Sequence, residues 1–128
     1  MRLLLDTHTF LWWVDDDKRL SRAARAAIRD RENECLVSLA SCWELTIKVS
    51  LGKLSLESSV EQFVPTHTAI NGFRLLPIEF SHTGRVARLP FHHRDPFDRM
   101  LAAQALVERL AIVSADPIFR RYGVKRVW

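Results

Sequence analysis

Asp6, Glu44, Asp98 and Asp116 hold four equivalent places in this chain, and together they could do metal-assisted chemistry. Asp6 follows the apolar run Leu3-Leu4-Leu5. Glu44 comes shortly after Cys35-Leu36-Val37-Ser38-Leu39. Asp98 opens the longest helical pattern, and Asp116 follows Ala111-Ile112-Val113-Ser114. Each lies just past a predicted strand or in the first turns of the next helix, the edge of a parallel α/β sheet where ligands bind. Four carboxylates gathered there need cations to stay ionised, and hard oxygen donors select Mg²⁺, with Mn²⁺ the alternative. Such ions make water more acidic and stabilise charge at phosphorus.

Each acid also has a structural use. Asp6 can cap a helix. Ser41-Cys42-Trp43-Glu44 fits a capping box with Glu44 at its third position, and Glu44 pairs with Lys48 at i,i+4. Asp95-Pro96-Phe97-Asp98 reads as cap, proline and first-turn acid, and Asp116-Pro117 repeats the cap-proline pattern. A cap is worth about 1 kcal/mol without any chemistry. The joint placement on one sheet edge favours the site. Asp98 also shares a helix face with Leu101, Ala102 and Ala105, and a bare carboxylate on an apolar face costs several kcal/mol unless paired or metal-bound.

The elements that would position these acids alternate. Strands are predicted at 2–5, 35–39, 73–78, 111–114 and 124–127. Helices are predicted at 7–14, 21–30, 41–51, 59–70 (interrupted at Pro65), 81–88, 96–109 and 117–121, with Gly52 closing the third and Asn71-Gly72 a turn. Strands alternating with helices imply a parallel sheet with right-handed crossovers. Length and composition suit a single domain over 1–128: 128 residues, 48% of them hydrophobic and 27% charged, enough to bury a core.

Other chemistries find no support. The four glycines at 52, 72, 84 and 123 form neither GxGxxG nor a phosphate-binding loop. Cys35 and Cys42, the only cysteines, read as small buried thiols rather than zinc ligands. No Ser-His-Asp order is present. The opening residues lack the long apolar run of a signal peptide and no apolar stretch could span a membrane, so a cytoplasmic protein is expected. The net charge of +4 favours a polyanionic partner. Arg85, Arg88, His92, His93, Arg94 and Arg99 flank the Asp98 helix, and of these Arg94, Arg99, His92 and His93 are candidates for RNA phosphate contacts. Arg120, Arg121, Lys125 and Arg126 form a second basic group, read as a soluble tail. Phe10, Trp12 and Trp13 exceed what one helix face needs for packing.

Four stretches resemble the PIN-domain ribonucleases, closely the VapC toxins of type II toxin–antitoxin pairs: Leu3-Leu4-Leu5-Asp6-Thr7-His8; Ser41-Cys42-Trp43-Glu44-Leu45 with Ile47-Lys48 and Gly52-Lys53-Leu54; Arg94 to Ala105; and Ile112-Val113-Ser114-Ala115-Asp116. The resemblance implies a three-layer α/β/α sandwich around a mostly parallel sheet of 4–5 strands. It implies Mg²⁺-dependent endoribonuclease activity, leaving a 5′-phosphate and a 3′-hydroxyl. It places catalytic and metal-holding roles on Asp6, Glu44, Asp98 and Asp116, with Glu44 completing the site or taking a proton from water. Ser114 would orient Asp116 or a water, and Asp95 would be a helix cap before a site residue. A homodimer and a cognate antitoxin partner are implied as well. Two other functions compete: a receiver-type phospho-acceptor domain, which normally has adjacent acids after its first strand and a Lys after its last, and a catalytically inactive PIN fold that only binds.

Overall fold

Five strands make one sheet in the computed structural model, which describes residues 1–128. They are β1 (Arg2–Leu5), β2 (Glu34–Ser38), β3 (Arg74–Leu76), β4 (Ala111–Val113) and β5 (Arg126–Val127). Their order is β3-β2-β1-β4-β5, and every neighbouring pair is parallel. Parallel neighbours need crossovers, supplied by α1 (Thr7–Val14), α2 (Arg22–Arg29), α3 (Leu39–Ser50), α4 (Val60–Asn71), α5 (Phe80–Arg88), α6 (Pro96–Glu108) and α7 (Ile118–Arg121). From β1 the chain moves outward through β2 to β3, then returns to β4 on the other side. The reversal falls between β1 and β4, where Leu5 stands opposite Val113, and crevices form at such a switch point. A receiver-type sheet would run 2-1-3-4-5, so the observed order removes that reading.

The strand period of two sorts the core into two layers. Leu3, Leu5, Cys35, Val37, Ala111 and Val113 face one side, packed on Phe10, Ala24, Ile28, Leu45, Phe63 and Val64 of α1–α4. Leu4, Leu36, Leu76 and Ile112 face the other, against Leu101, Ala102 and Ala105 of α6 and Phe119 of α7. Both faces are covered, which explains strands that read as unbroken apolar runs. Burying each Leu or Phe contributes about 1.5–3 kcal/mol.

Three local expectations need correction. The third helix begins at Leu39, with Ser38 as its cap, its Oγ accepting from the Ala40 N–H at 3.0 Å. Ser41 and Glu44 are therefore interior, and no capping box forms there. Secondly, α4 runs through Pro65 unbroken. Proline at position 65 removes only one helical N–H, and the turn beyond it is kept, the Thr68 hydroxyl donating to the Val64 carbonyl at 2.8 Å. Thirdly, the outer strands are shorter than their apolar runs. The Phe73 and Val124 amides turn back to Thr68 and Phe119 of the preceding helices, at 2.9 and 3.1 Å. Pro77, following β3, has no donor for a ladder. Gly72, at φ 67°, takes the left-handed position that closes α4.

Candidate active site

One cavity of about 210 Å³ opens where the sheet order reverses, lined by Asp6, Thr7, His8, Trp12, Glu44, Lys48, Asp95, Asp98, Ala115 and Asp116. Five carboxylates from positions 6 to 116 of the chain thus meet at one place. Each arrives by a different route. Asp6 leaves β1 and caps α1, its Oδ1 accepting from the Thr9 amide at 2.8 Å. Its Oδ2 accepts from the Ser114 hydroxyl, at the end of β4. The same hydroxyl accepts from the Asp116 amide at 3.1 Å, so Ser114 ties the first acid to the last. Asp116 then starts the turn into α7, its Oδ1 accepting from the Ile118 amide at 2.9 Å.

Glu44 lies in the second turn of α3, where no cap interaction claims it. The Thr7 hydroxyl donates to its Oε1 at 2.6 Å, and Lys48 sits 2.9 Å from its Oε2. The Thr7 and Ser41 hydroxyl oxygens also lie within hydrogen-bond distance, 2.9 Å apart, which pins α1 to α3 beside the cavity. Asp95 is the cap of α6, its Oδ1 accepting from the Phe97 and Asp98 amides at 2.9 and 3.0 Å. Asp98, three residues on, has Oδ2 3.3 Å from His93 Nε2.

The electrostatics follow from burial. Loss of water pushes the Asp6 carboxyl above its ordinary range, against the lowering effect of the Ser114 and Thr9 hydrogen bonds. Burial raises Asp98 to about 6, aided by the Asp95 and Asp6 charges and opposed by His93. Two acids that resist ionisation beside three more make a strongly negative, partly desolvated pocket.

A divalent ion suits this donor set. All the donors are hard carboxylate oxygens. Asp98 Oδ1 and Asp116 Oδ2 accept nothing from the protein and stay available. No three His, Cys, Asp or Glu side chains already converge tightly enough to close round one ion, as expected of like charges held apart by their own hydrogen bonds. The residues fit a cation by the chemistry of their donors and by the cavity they share.

The basic residues divide. Arg99 is buried at 5% exposure, and its guanidinium donates to the Pro90 carbonyl at 2.8 Å and to the Val86 and Leu89 carbonyls at 3.3 Å. It binds the α5–α6 connection together and has nothing left for RNA, which corrects the expectation of a phosphate contact. His93 is held between Asp98 and the Tyr122 hydroxyl, 2.7 Å from its Nδ1. His92 packs edge-on against Tyr122. Arg94 is exposed and borders an apolar pocket with Trp43, Phe91 and Phe97. Arg126 is no tail residue, since it donates to the Ser114 and Ala115 carbonyls at 3.0 and 3.3 Å and clamps the loop that carries Asp116. Thr7 and Trp12 escaped sequence reasoning as site residues. Nothing in their spacing marks them, because Thr7 depends on α1 packing against α3 and Trp12 packs against Trp128 from the far end of the chain.

The PIN domain model matches residues 3–125. No curated protein matches the sequence significantly. Solved structures share the chain path. VapBC2 from Rickettsia felis, bound to a DNA fragment from its promoter, aligns at TM-score 0.71 and 14% identity over 98% of this chain and 97% of that one. DNA-bound VapBC from Salmonella typhimurium aligns at 0.69 and 15%, over 98% and 96%. VapBC-5 from Mycobacterium tuberculosis aligns at 0.61 and 18%, over 98% and 97%. At such identities the likeness is one of fold. With a family match across nearly its whole length, a five-stranded parallel sheet between helices, and acids gathered at the switch point, this chain belongs to the PIN-domain family.

Proposed function

We propose that the chain is a divalent-metal-dependent nuclease, specifically an endoribonuclease acting as the toxin of a toxin–antitoxin pair. The observation that carries this reading is the convergence of Asp6, Glu44, Asp95, Asp98 and Asp116 on one small cavity. A bound Mg²⁺, with Mn²⁺ a substitute, would supply positive charge at the phosphodiester and raise the acidity of nearby water. Asp6, Asp98 and Asp116 would hold it. Glu44, already engaged on both oxygens, would complete the site or take a proton from water. Ser114 keeps Asp6 turned toward the cavity, and Asp95 fixes the first turn of α6 so that Asp98 faces inward. Attack by water in line with the departing 3′-oxygen would leave a 5′-phosphate and a 3′-hydroxyl.

The partner reading draws on the neighbours, which are VapBC complexes. An antitoxin and a homodimer are proposed on that likeness. No helix is long and apolar enough to cross a membrane, which accords with the proposed cytoplasmic site of action.

Purified protein with Mg²⁺ should cut single-stranded RNA internally, and EDTA should stop it. Asp6→Asn and Asp98→Asn should abolish cutting while circular dichroism stays unchanged, because Asn at position 6 still caps α1 and the cap of α6 is Asp95 rather than Asp98. Normal cleavage by both variants would end the metal assignment. Metal binding without any cleavage would favour the inactive binding module instead.

A further inference from the structure

We infer that Lys48 is the residue that contacts an RNA phosphate at the cavity, held ready by Glu44. This rests on the nuclease reading above and adds to it the group that receives the substrate's charge. The cavity carries five carboxylates and a single permanently cationic side chain, Lys48. A phosphodiester entering it is repelled on nearly every side. One divalent ion offsets part of that repulsion, and a fixed ammonium at the wall offsets more.

The pair is not an ordinary helix-surface ion pair. The Glu44 side chain is 13% exposed and the Lys48 side chain 33%, so both are drawn into the cavity wall. An exposed i,i+4 pair contributes little and would leave both ends in solvent. Thr7 secures the far oxygen of Glu44 at 2.6 Å, so the carboxylate is a fixed anchor. Lys48 meets it at 2.9 Å and makes no other polar contact with the protein. An ammonium has three donors, so two of them have no partner within the protein, and Lys48 lines the cavity. The anchor sets the position of the charge, and the free donors match phosphate oxygens as a compact point charge. The nearby arginines do not compete, since Arg99 is consumed by backbone carbonyls and Arg126 by the Ser114 and Ala115 carbonyls.

The test compares wild type with Lys48→Met, which keeps the apolar stem, and Lys48→Arg. Binding of a fluorescent mixed-sequence single-stranded oligoribonucleotide is measured across a salt series, with Ca²⁺ in place of Mg²⁺ to slow turnover. Mn²⁺ affinity is measured separately by calorimetry without RNA. Lys48→Met should bind RNA about tenfold more weakly, as loss of one charge-assisted contact implies. Its salt slope should be shallower by about 0.7, the value for one phosphate on a single strand. Its Mn²⁺ affinity should be unchanged or tighter, and Lys48→Arg should restore the slope. Unchanged RNA affinity and slope in Lys48→Met would overturn the inference and leave the nuclease reading intact. Joint loss of Mn²⁺ and RNA binding would also overturn it, showing that Lys48 only supports the carboxylates. Failure of the wild type itself to bind RNA would instead sink the nuclease reading, and this inference with it.

Discussion

Asp98 shows how one side chain can couple chemistry to stability. Burial, then Asp95, raises its carboxyl from the ordinary 3.8 to about 6. Between those values the folded protein holds a proton that the unfolded chain has released. Stability of the metal-free protein should therefore fall as pH rises from about 4 to 6, and level off above that. The raised Asp6 acts in the same sense. Urea unfolding in EDTA at a series of pH values would show the decline, and Asp98→Asn should flatten it; a flat wild-type profile would count against a desolvated Asp98. Ser114 offers a second check. Its hydroxyl donates to Asp6 and accepts from the Asp116 amide. Ser114→Ala should weaken Mn²⁺ binding or cleavage by about 10–100-fold, as loss of a supporting hydrogen bond does at metal sites. Its stability should change by only about 1 kcal/mol. Activity equal to wild type would show that Asp6 needs no such support.

At the scale of elements, the start of α3 decides whether Glu44 serves the site. Ser38 caps the helix and also donates its hydroxyl to the buried Gln104 Oε1 of α6. One residue thus joins β2, α3 and α6 behind the cavity. Ser38→Ala removes a cap worth about 1 kcal/mol and strands a buried amide oxygen at a cost of about 1–3 kcal/mol. We expect a loss of about 2–4 kcal/mol in chemical denaturation, larger than for serines capping exposed helices such as Ser59. A loss no greater than that of Ser59→Ala would mean that the Gln104 contact contributes nothing. The helix boundaries at α1, α2 and α6 follow local signals: the acid after β1, Ser21 and the Asp95-Pro96 pair. The start of α3 could not be read that way, since Ser38 and Ser41 are both plausible caps and only the end of β2 chooses between them.

For the whole molecule, the cavity is a meeting point of both halves of the sheet, so a bound ion should brace the fold. At a hundredfold excess over Kd, Mg²⁺ should add about 2.7 kcal/mol. For a chain of this size that corresponds to roughly 10 °C in Tm. Thermal unfolding with and without Mg²⁺ tests this independently of any substrate, and Asp98→Asn should lose most of the shift. A Tm indifferent to Mg²⁺ and Mn²⁺ alike would leave the cavity without its ion.

The amino-acid order by itself determined the alternation of apolar runs and helical patterns, hence a parallel sheet covered on both faces, and it marked the acids that end up together. Those features are local: a strand's period, a cap, a proline after an aspartate. Only the tertiary structure decided that Thr7 closes upon Glu44, that Ser114 turns toward Asp6, and that Arg99 is spent inside rather than offered to a ligand. These depend on how helices distant in sequence pack against one another. The direction of a long side chain is set by the neighbours that surround it, and spacing along the chain carries no record of them.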